Sequence, residues 1–306
     1  MMRSIILTGA TSMIGLALVK QCVKNNVRVL ALVRNDSLRL DAIPKSDLIT
    51  TINCDLGNLV EFGDEAPFPV DVFYHLGWSD TDKQGRKSCN KQLQNVAYTL
   101  DAVRLAKKLG CKRFIGTGSQ AEYGLYSNPV NGFTLVNPID AYGTAKYAAR
   151  KLSEIECVNF NIEHIWVCVF YVYGTESKDD DLIKSFIVKC KSNKPMGLSP
   201  STHIWDFLYE DDAGRALFML GEQRKFGKTY FLGSGTGRPL KEYLEEIKSI
   251  VNPEYVPGYG KIPYTGESTR YLCADITELS NDTGWKPEVL FKDGIRSILA
   301  SLRRKI

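Results

Sequence analysis

Tyr142 and Lys146 stand four residues apart in Asp140-Ala141-Tyr142-Gly143-Thr144-Ala145-Lys146-Tyr147. On a helix that spacing puts a phenol beside an ammonium, one turn away on the same face. A nearby positive charge favours the phenolate, so such a tyrosine can give or take a proton near neutral pH. A second constellation opens the chain, Ile5-Ile6-Leu7-Thr8-Gly9-Ala10-Thr11-Ser12-Met13-Ile14-Gly15. It reads as an apolar strand running into a glycine-bearing helix start. Gly9 permits the tight turn and Gly15 close helix–strand packing. The helix amino terminus, with Thr11, Ser12, Met13 and Ile14 around it, offers unpaired N–H groups and a positive dipole end to a pyrophosphate. Ser12 occupies the place of the usual middle glycine, and a plain strand–turn–helix would look similar. Together the two constellations imply hydride and proton exchange with an alcohol or ketone.

Cofactor choice is read where the second strand ends, at Leu32-Val33-Arg34-Asn35. No carboxylate occupies the position that holds the ribose hydroxyls of NAD. Arg34 carries a permanent charge on a planar fork suited to phosphate. Thr11, Ser12 and Arg34 could hold a 2′-phosphate, which favours NADP(H) and leaves NAD(H) possible; a surface arginine would look the same. In Cys54-Asp55-Leu56, Asp55 could accept the adenine amino hydrogens or simply cap a helix.

These groups need elements to position them. Apolar, β-branched runs at 3–8, 27–33, 48–53, 71–75 and 112–117 alternate with amphipathic stretches at 13–25 and 86–109. A helix over 140–160 and a buried strand over 162–172 follow. That alternation predicts an α/β fold, a Rossmann-type doubly wound parallel sheet. Beyond Gly174 the pattern loosens. The polar segment 175–200 and the Pro-, Gly- and Tyr-rich segment 252–268 suit a small C-terminal substrate-binding cap at the carboxyl edge of the sheet. Strand and helix over 203–222, a helix over 239–250 and a helical tail over 275–305, with a turn at 284–287, complete the chain. Residues 1–174 with parts of 203–235 are assigned to the dinucleotide-binding domain, and 175–202 with 236–306 mainly to the cap.

The chain has 306 residues, 44% apolar and 24% charged, which describes a packed globule. The net charge of +4 is spread out, and the terminal Arg303-Arg304-Lys305 reads as a solvated helix end, so no nucleic-acid partner is expected. No two of the eight cysteines have metal-ribbon or redox spacing. No metal is expected, and the thiols suit a reduced cytoplasmic protein. Met1 leads straight into the first strand, leaving no room for a signal peptide, and no apolar run suits a membrane span.

Over almost its whole length the chain resembles the extended short-chain dehydrogenase/reductases that act on nucleotide sugars. The resemblance rests on Thr8-Gly9 with Gly15, Asp55-Leu56, His75-Leu76-Gly77, Asn95 to Thr99, Ser119 before Tyr123-Gly124, Tyr142 with Lys146, Val172-Tyr173-Gly174, and Asp206 to Ala213. It implies Tyr142 as proton donor or acceptor, Lys146 on the nicotinamide ribose, and Ser119 on the reacting oxygen with Thr117 close by. Leu76 and Gly77 would pass beside the cofactor, and Asn95 would steady the active-site helix. Departures narrow the reaction. The Asp-Glu pair of the similar dehydratases is Gln120-Ala121 here, with Glu122 displaced by one. Trp205, Tyr171 and Cys168 replace the usual phosphate-gripping Arg, Asn and Arg. Ser119, Gln120, Tyr171 and Trp205 are therefore the substrate candidates, the aromatics as stacking surfaces or as cap core. The favoured expectation is an NADPH-dependent reductase of a nucleotide-linked 4-keto-6-deoxyhexose. An NAD-retaining C4 epimerase, a non-catalytic cofactor-binding sensor and a reductase of non-nucleotide ketones are the alternatives. The resemblance also implies a homodimer pairing helices 97–109 and 141–155 through positions such as Ala97, Leu100, Ala148, Ala149 and Leu152.

Overall fold

The computed structural model describes residues 2–63, 66–264 and 271–304. Residues 265–268 of the predicted cap segment, and Lys305 of the terminal basic run, lie outside the described residues. The strands of the main sheet are β1 (Ser4–Thr8), β2 (Arg28–Val33), β3 (Ile49–Asn53), β4 (Val72–His75), β5 (Arg113–Ser119) and β6 (Glu163–Val169). A short β7 (Tyr171–Tyr173), β8 (Ile204–Trp205) and β9 (Phe207–Tyr209) precede β10 (Lys228–Leu232), the seventh strand of that sheet, and β11 (Arg238–Pro239). The order is β10-β6-β5-β4-β1-β2-β3, and every pairing is parallel. The order reverses between β1 and β4, so their carboxyl ends flank the crevice where such sheets take ligands.

Burial explains why these runs are strands. A sheet covered on both faces needs near-continuous apolar strands, and all five residues of β1 are buried. Alternation sends Ile5 and Leu7 to one layer and Ile6 to the other. The first layer is covered by α1 (Met13–Lys24) and the second by α2 (Cys89–Lys108). Next come α3 (Ala141–Asn159), α4 (Leu182–Lys191) and α5 (Glu210–Glu222), which packs beside α1. The remaining helices are α6 (Leu240–Val251), α7 (Thr277–Thr283) and α8 (Phe291–Arg304).

Three local outcomes differ from the sequence pattern. The stretch 162–172 is broken: β6 ends at Val169, and after the buried Phe170 the chain leaves the sheet to pair β7 with β9. The polar 175–200 segment contains α4, because Asp181 caps it by accepting from the N–H groups of Ile183 and Lys184. The turn expected within the helical tail is present: α7 and α8 are separated after Gly284, at φ +75°. Leu279 and Trp285 pack in the sheet layer with α1 and α5, although they fall in the range assigned to the cap. A separate cluster, with Phe186, Phe207, Tyr243, Leu244, Tyr255 and Ile295, joins α4, α6 and α8.

Candidate active site

The first turn is built by contact between the ends of β1 and β4. Gly9 has φ +75°, and a Cβ there would lie 2.7 Å from the Gly77 backbone nitrogen. Both the backbone conformation and the approach exclude a side chain. Thr8 locks the same junction: its Oγ1 is 3.0 Å from His75 Nδ1 and accepts from the Gly77 N–H at 3.2 Å. His75 is buried and held neutral, its pKa pushed down to about 3 by desolvation and then by the charge of Lys146. Ser12 shows why the middle glycine is dispensable. It takes an ordinary extended φ of −73° and caps α1, accepting from the Gly15 N–H at 3.0 Å. Gly15 lies beneath the turn, where a Cβ would meet the Gly9 carbonyl at 2.2 Å.

Above this junction opens a cleft of about 1060 Å³. Gly9, Thr11, Ser12, Met13 and Ile14 line it from the α1 side, and Arg34, Leu56, Leu76 and Gly77 from the strand ends. Thr117, Ser119, Tyr142 and Lys146 line its far end. The predicted cofactor residues are thus brought together, with Gly15 as a buried support. Asp55 lines an adjoining cavity of about 700 Å³ that shares Arg34, Asp36 and Cys54 with the cleft. It also caps the following 3-10 turn, accepting from the Gly57 N–H at 3.3 Å.

Arg34 nonetheless has an acidic neighbour two residues beyond it. Asp36 lines both cavities, its Oδ1 3.7 Å from Arg34 Nε. The chain turns after β2, with the Ser37 N–H donating to the Arg34 carbonyl, and brings back a carboxylate that the linear spacing does not place there.

Tyr142 enters from the first turn of α3, whose cap Asp140 accepts from the Gly143 N–H at 2.7 Å. Gly143 lets the helix press on the turn after β5; a Cβ there would lie 2.2 Å from the Ala121 carbonyl. Burial raises the Tyr142 pKa, while the Arg86 charge and a hydrogen bond with Ser119 pull it down. Lys146 donates to the Thr117 carbonyl at 2.8 Å, and its ammonium is 3.7 Å from the centre of the Trp78 ring. Desolvation pushes its pKa down to about 7, opposed by the charges of Glu122 and Cys168. The ammonium is 5.9 Å from the Tyr142 ring centre, whereas the Arg86 guanidinium is 4.3 Å away.

Glu122 points into the core, away from the cleft. Its Oε1 accepts from the Ser119 N–H and Trp166 Nε1, each at 3.0 Å, and its Oε2 is 3.3 Å from Arg150. It fixes the backbone that presents Ser119. Asn95 clamps the loop after β4, exchanging hydrogen bonds with Ser79 N–H and carbonyl at 2.7 and 3.1 Å, instead of holding α3.

The remaining substrate candidates lie outside the cleft lining. Gln120 accepts from the Tyr126 hydroxyl at 3.4 Å. Tyr171 donates to Asp181 at 2.6 Å and packs edge-on against Trp205, their ring centres 5.0 Å apart. Trp205 stacks on Phe207 as part of the cap cluster, though its buried Nε1 has no hydrogen-bond partner among the described residues. Asp206 beside it is a buried clamp, accepting from the N–H groups of Ser234, Gly235 and Ala274. Sequence reasoning missed Trp78, Arg86 and Asp36. The signal for the first two was the Ser-Asp-Thr-Asp run after Trp78, a turn signal that returns the chain to the crevice.

Residues 5–233 match the model of the NAD dependent epimerase/dehydratase family. The chain belongs to that family. Its relatives include the dTDP-4-dehydro-6-deoxyglucose reductase of Escherichia coli, 22% identical with 98% of both chains covered. Among solved structures, the UDP-glucose 4-epimerase of Thermotoga maritima, with UDP-glucose, has a TM-score of 0.88 at 19% identity, 99% of each chain being covered. The UDP-glucuronic acid 4-epimerase of Bacillus cereus, in complex with UDP-glucuronic acid and NAD, has a TM-score of 0.83 at 20% identity, covering 99% of this chain and 100% of that one. The protein is accordingly an enzyme of the nucleotide-sugar epimerase, dehydratase and reductase group. Among the described residues no helix is long and apolar enough to cross a membrane.

Proposed function

We propose that this enzyme is an NADPH-dependent 4-ketoreductase of a nucleotide-linked 4-keto-6-deoxyhexose, working in the cytoplasm as a homodimer. The observation that carries the reading is the convergence of Ser119, Tyr142 and Lys146 on the cleft while Glu122 is turned into the core. The position from which the resembling dehydratases draw an acid/base pair therefore offers Gln120 and Ala121 instead. The cofactor fits the residues present, since the α1 amino terminus with Thr11 and Ser12, the close-packed Gly9 and Gly77, and Tyr142 with Lys146 all line one open cleft. Thr11, Ser12 and Arg34 would hold its phosphates, Asp55 its adenine and Lys146 its nicotinamide ribose. When bound it supplies the hydride. Ser119 orients the ketone oxygen, and Tyr142 donates the proton that turns the C4 oxygen into a hydroxyl. Tyr171 and Trp205 would shape the nucleotide side of the site from the cap. The E. coli reductase relative supports this reading, and Arg34 supports NADPH.

Asp36 favours a second reading. Beside Arg34, it could accept hydrogen bonds from the ribose diol of NAD, as an epimerase that retains NAD requires. Native mass spectrometry of the purified protein, followed by turnover assays, separates the two. Protein free of cofactor that oxidises NADPH with dTDP- or CDP-linked 4-keto-6-deoxyglucose is the expected result. Retained NAD with C4 inversion of UDP-glucose would overturn the reductase reading.

A further inference from the structure

We propose that Arg86 is a second cationic partner of Tyr142, stabilising its phenolate and setting the pH range over which Tyr142 exchanges its proton. The proposal rests on Tyr142 being the proton-transfer group. Arg86 belongs to a 3-10 turn, Gly85–Lys87, in the loop after β4. Gln92 of α2 pins that loop with three contacts, besides those of Asn95. Gln92 donates to the carbonyls of Asp80 and Gly85, each at 3.1 Å, and accepts from Trp78 Nε1 at 2.9 Å. The loop's own carboxylates are occupied: Asp80 pairs with Lys91 at 2.5 Å, and Asp82 accepts from the N–H groups of Gln84 and Gly85. Among the described residues Arg86 is in no ion pair within 4 Å, and its guanidinium lies over the Tyr142 ring at 4.3 Å.

A cation over an aromatic face is attracted to it, and more strongly once the ring carries the delocalised charge of a phenolate. The other groups facing Tyr142 do not replace it. Lys146, on the same helix, has a pKa pushed down to about 7, so its charge fades as the pH rises towards the phenol's range. A guanidinium stays charged throughout. Ser119 contributes a neutral hydrogen bond, while Glu122 from the turn after β5 and Asp140 from the α3 cap both oppose ionisation. Trp78, edge-on to Tyr142 with ring centres 6.2 Å apart, carries no charge.

The test is an NMR titration of protein labelled with 13Cζ-tyrosine, the Tyr142 resonance being assigned by its loss in Tyr142→Phe. In the wild type Tyr142 should show a measurable ionisation midpoint, displaced above that of an ordinary tyrosine by its burial. Arg86→Met should raise the midpoint by about one unit or more, or out of the measurable range, and Arg86→Lys should raise it less. The alkaline limb of kcat/KM for NADPH-dependent reduction should move up in parallel. A wild-type phenol that does not ionise before alkaline unfolding, or a midpoint unchanged in Arg86→Met, overturns the proposal; a purely structural arginine would lower stability without moving the midpoint. If Tyr142→Phe retains turnover, the donor assignment fails separately, and the titration still decides whether Arg86 stabilises the phenolate.

Discussion

Replacing Lys146 with methionine should abolish turnover and yet stabilise the fold at neutral pH. Lys146 is buried, and desolvation pushes its pKa from the ordinary 10.5 to about 7. At about 1.4 kcal/mol per pH unit, that shift corresponds to a penalty of about 5 kcal/mol on the folded state at pH 7. The charged side chain recovers part of it. Its hydrogen bond to the Thr117 carbonyl is worth about 1.5–3 kcal/mol, and its contact with Trp78 about 0.5–2 kcal/mol. Methionine has similar length and packs as a flexible hydrophobe, but loses both contacts, so a net gain of about 0–3 kcal/mol is expected. The pH dependence identifies its origin. Well above pH 10.5 lysine is neutral in both states and the penalty is absent. As the pH falls through 10.5 the unfolded chain binds a proton that the folded chain refuses until about 7, so the wild type loses stability relative to the variant across that window. Below about 7 the difference levels off. Urea unfolding of both proteins from about pH 6 to about pH 10 measures it. A difference independent of pH, or a variant less stable at pH 7, would refute the argument that burial dominates at Lys146.

Tyr142→Phe keeps the ring and its packing against Trp78, so its unfolding midpoint should stay near that of the wild type while turnover falls about a hundredfold or more. Arg34→Ala should weaken NADPH binding towards the lower end of the roughly tenfold to hundredfold expected of a charge-assisted phosphate contact, because the side chain is 58% exposed. Asp36→Ala should do the opposite, tightening NADPH and loosening NADH; fluorescence titration of both cofactors on the three proteins checks the pair. The exposed Leu152, with Ile155 and Leu93 also exposed on the α2–α3 face, should be covered in a homodimer, so Leu152→Arg should convert a dimer to a monomer in sedimentation. Ala149, named with Leu152 as a contact, is fully buried within the protomer and contributes nothing to that face.

The parts of this molecule legible in its sequence are those whose cause is local. β1 is a continuous apolar run because both its faces are covered, and Gly9 and Gly15 follow from a turn that has no room for a Cβ. Tyr142 and Lys146 share a helix face through spacing alone. What the pattern did not give depends on tertiary return. Asp36 is two residues beyond Arg34 in sequence, but only the turn after β2 directs it to the same cavities. β7 leaves the main sheet because β9, some thirty-six residues later, offers an edge to pair with. Glu122 was expected to be displaced from the dehydratase position, but its burial against Arg150 and Trp166 depends on residues from α3 and β6.

The loop after β4 illustrates this most clearly, because it is where motif and chemistry part company. His75-Leu76-Gly77 marks the place where the backbone must pass close to Thr8, and the motif ends there. The groups surrounding Tyr142 and Lys146 come next: Trp78 under the ammonium and Arg86 over the phenol. Neither position is dictated by a strand or helix period. Each depends on Gln92 and Asn95, two buried polar residues of α2 whose side-chain amides hold the loop backbone or the Trp78 indole. A buried amide left without these partners would cost about 1–3 kcal/mol. The same hydrogen bonds therefore make the polar face of α2 tolerable in the core and fix the electrostatic surroundings of the reacting tyrosine. The active-site chemistry thus depends on a helix that contributes no side chain to the cleft lining.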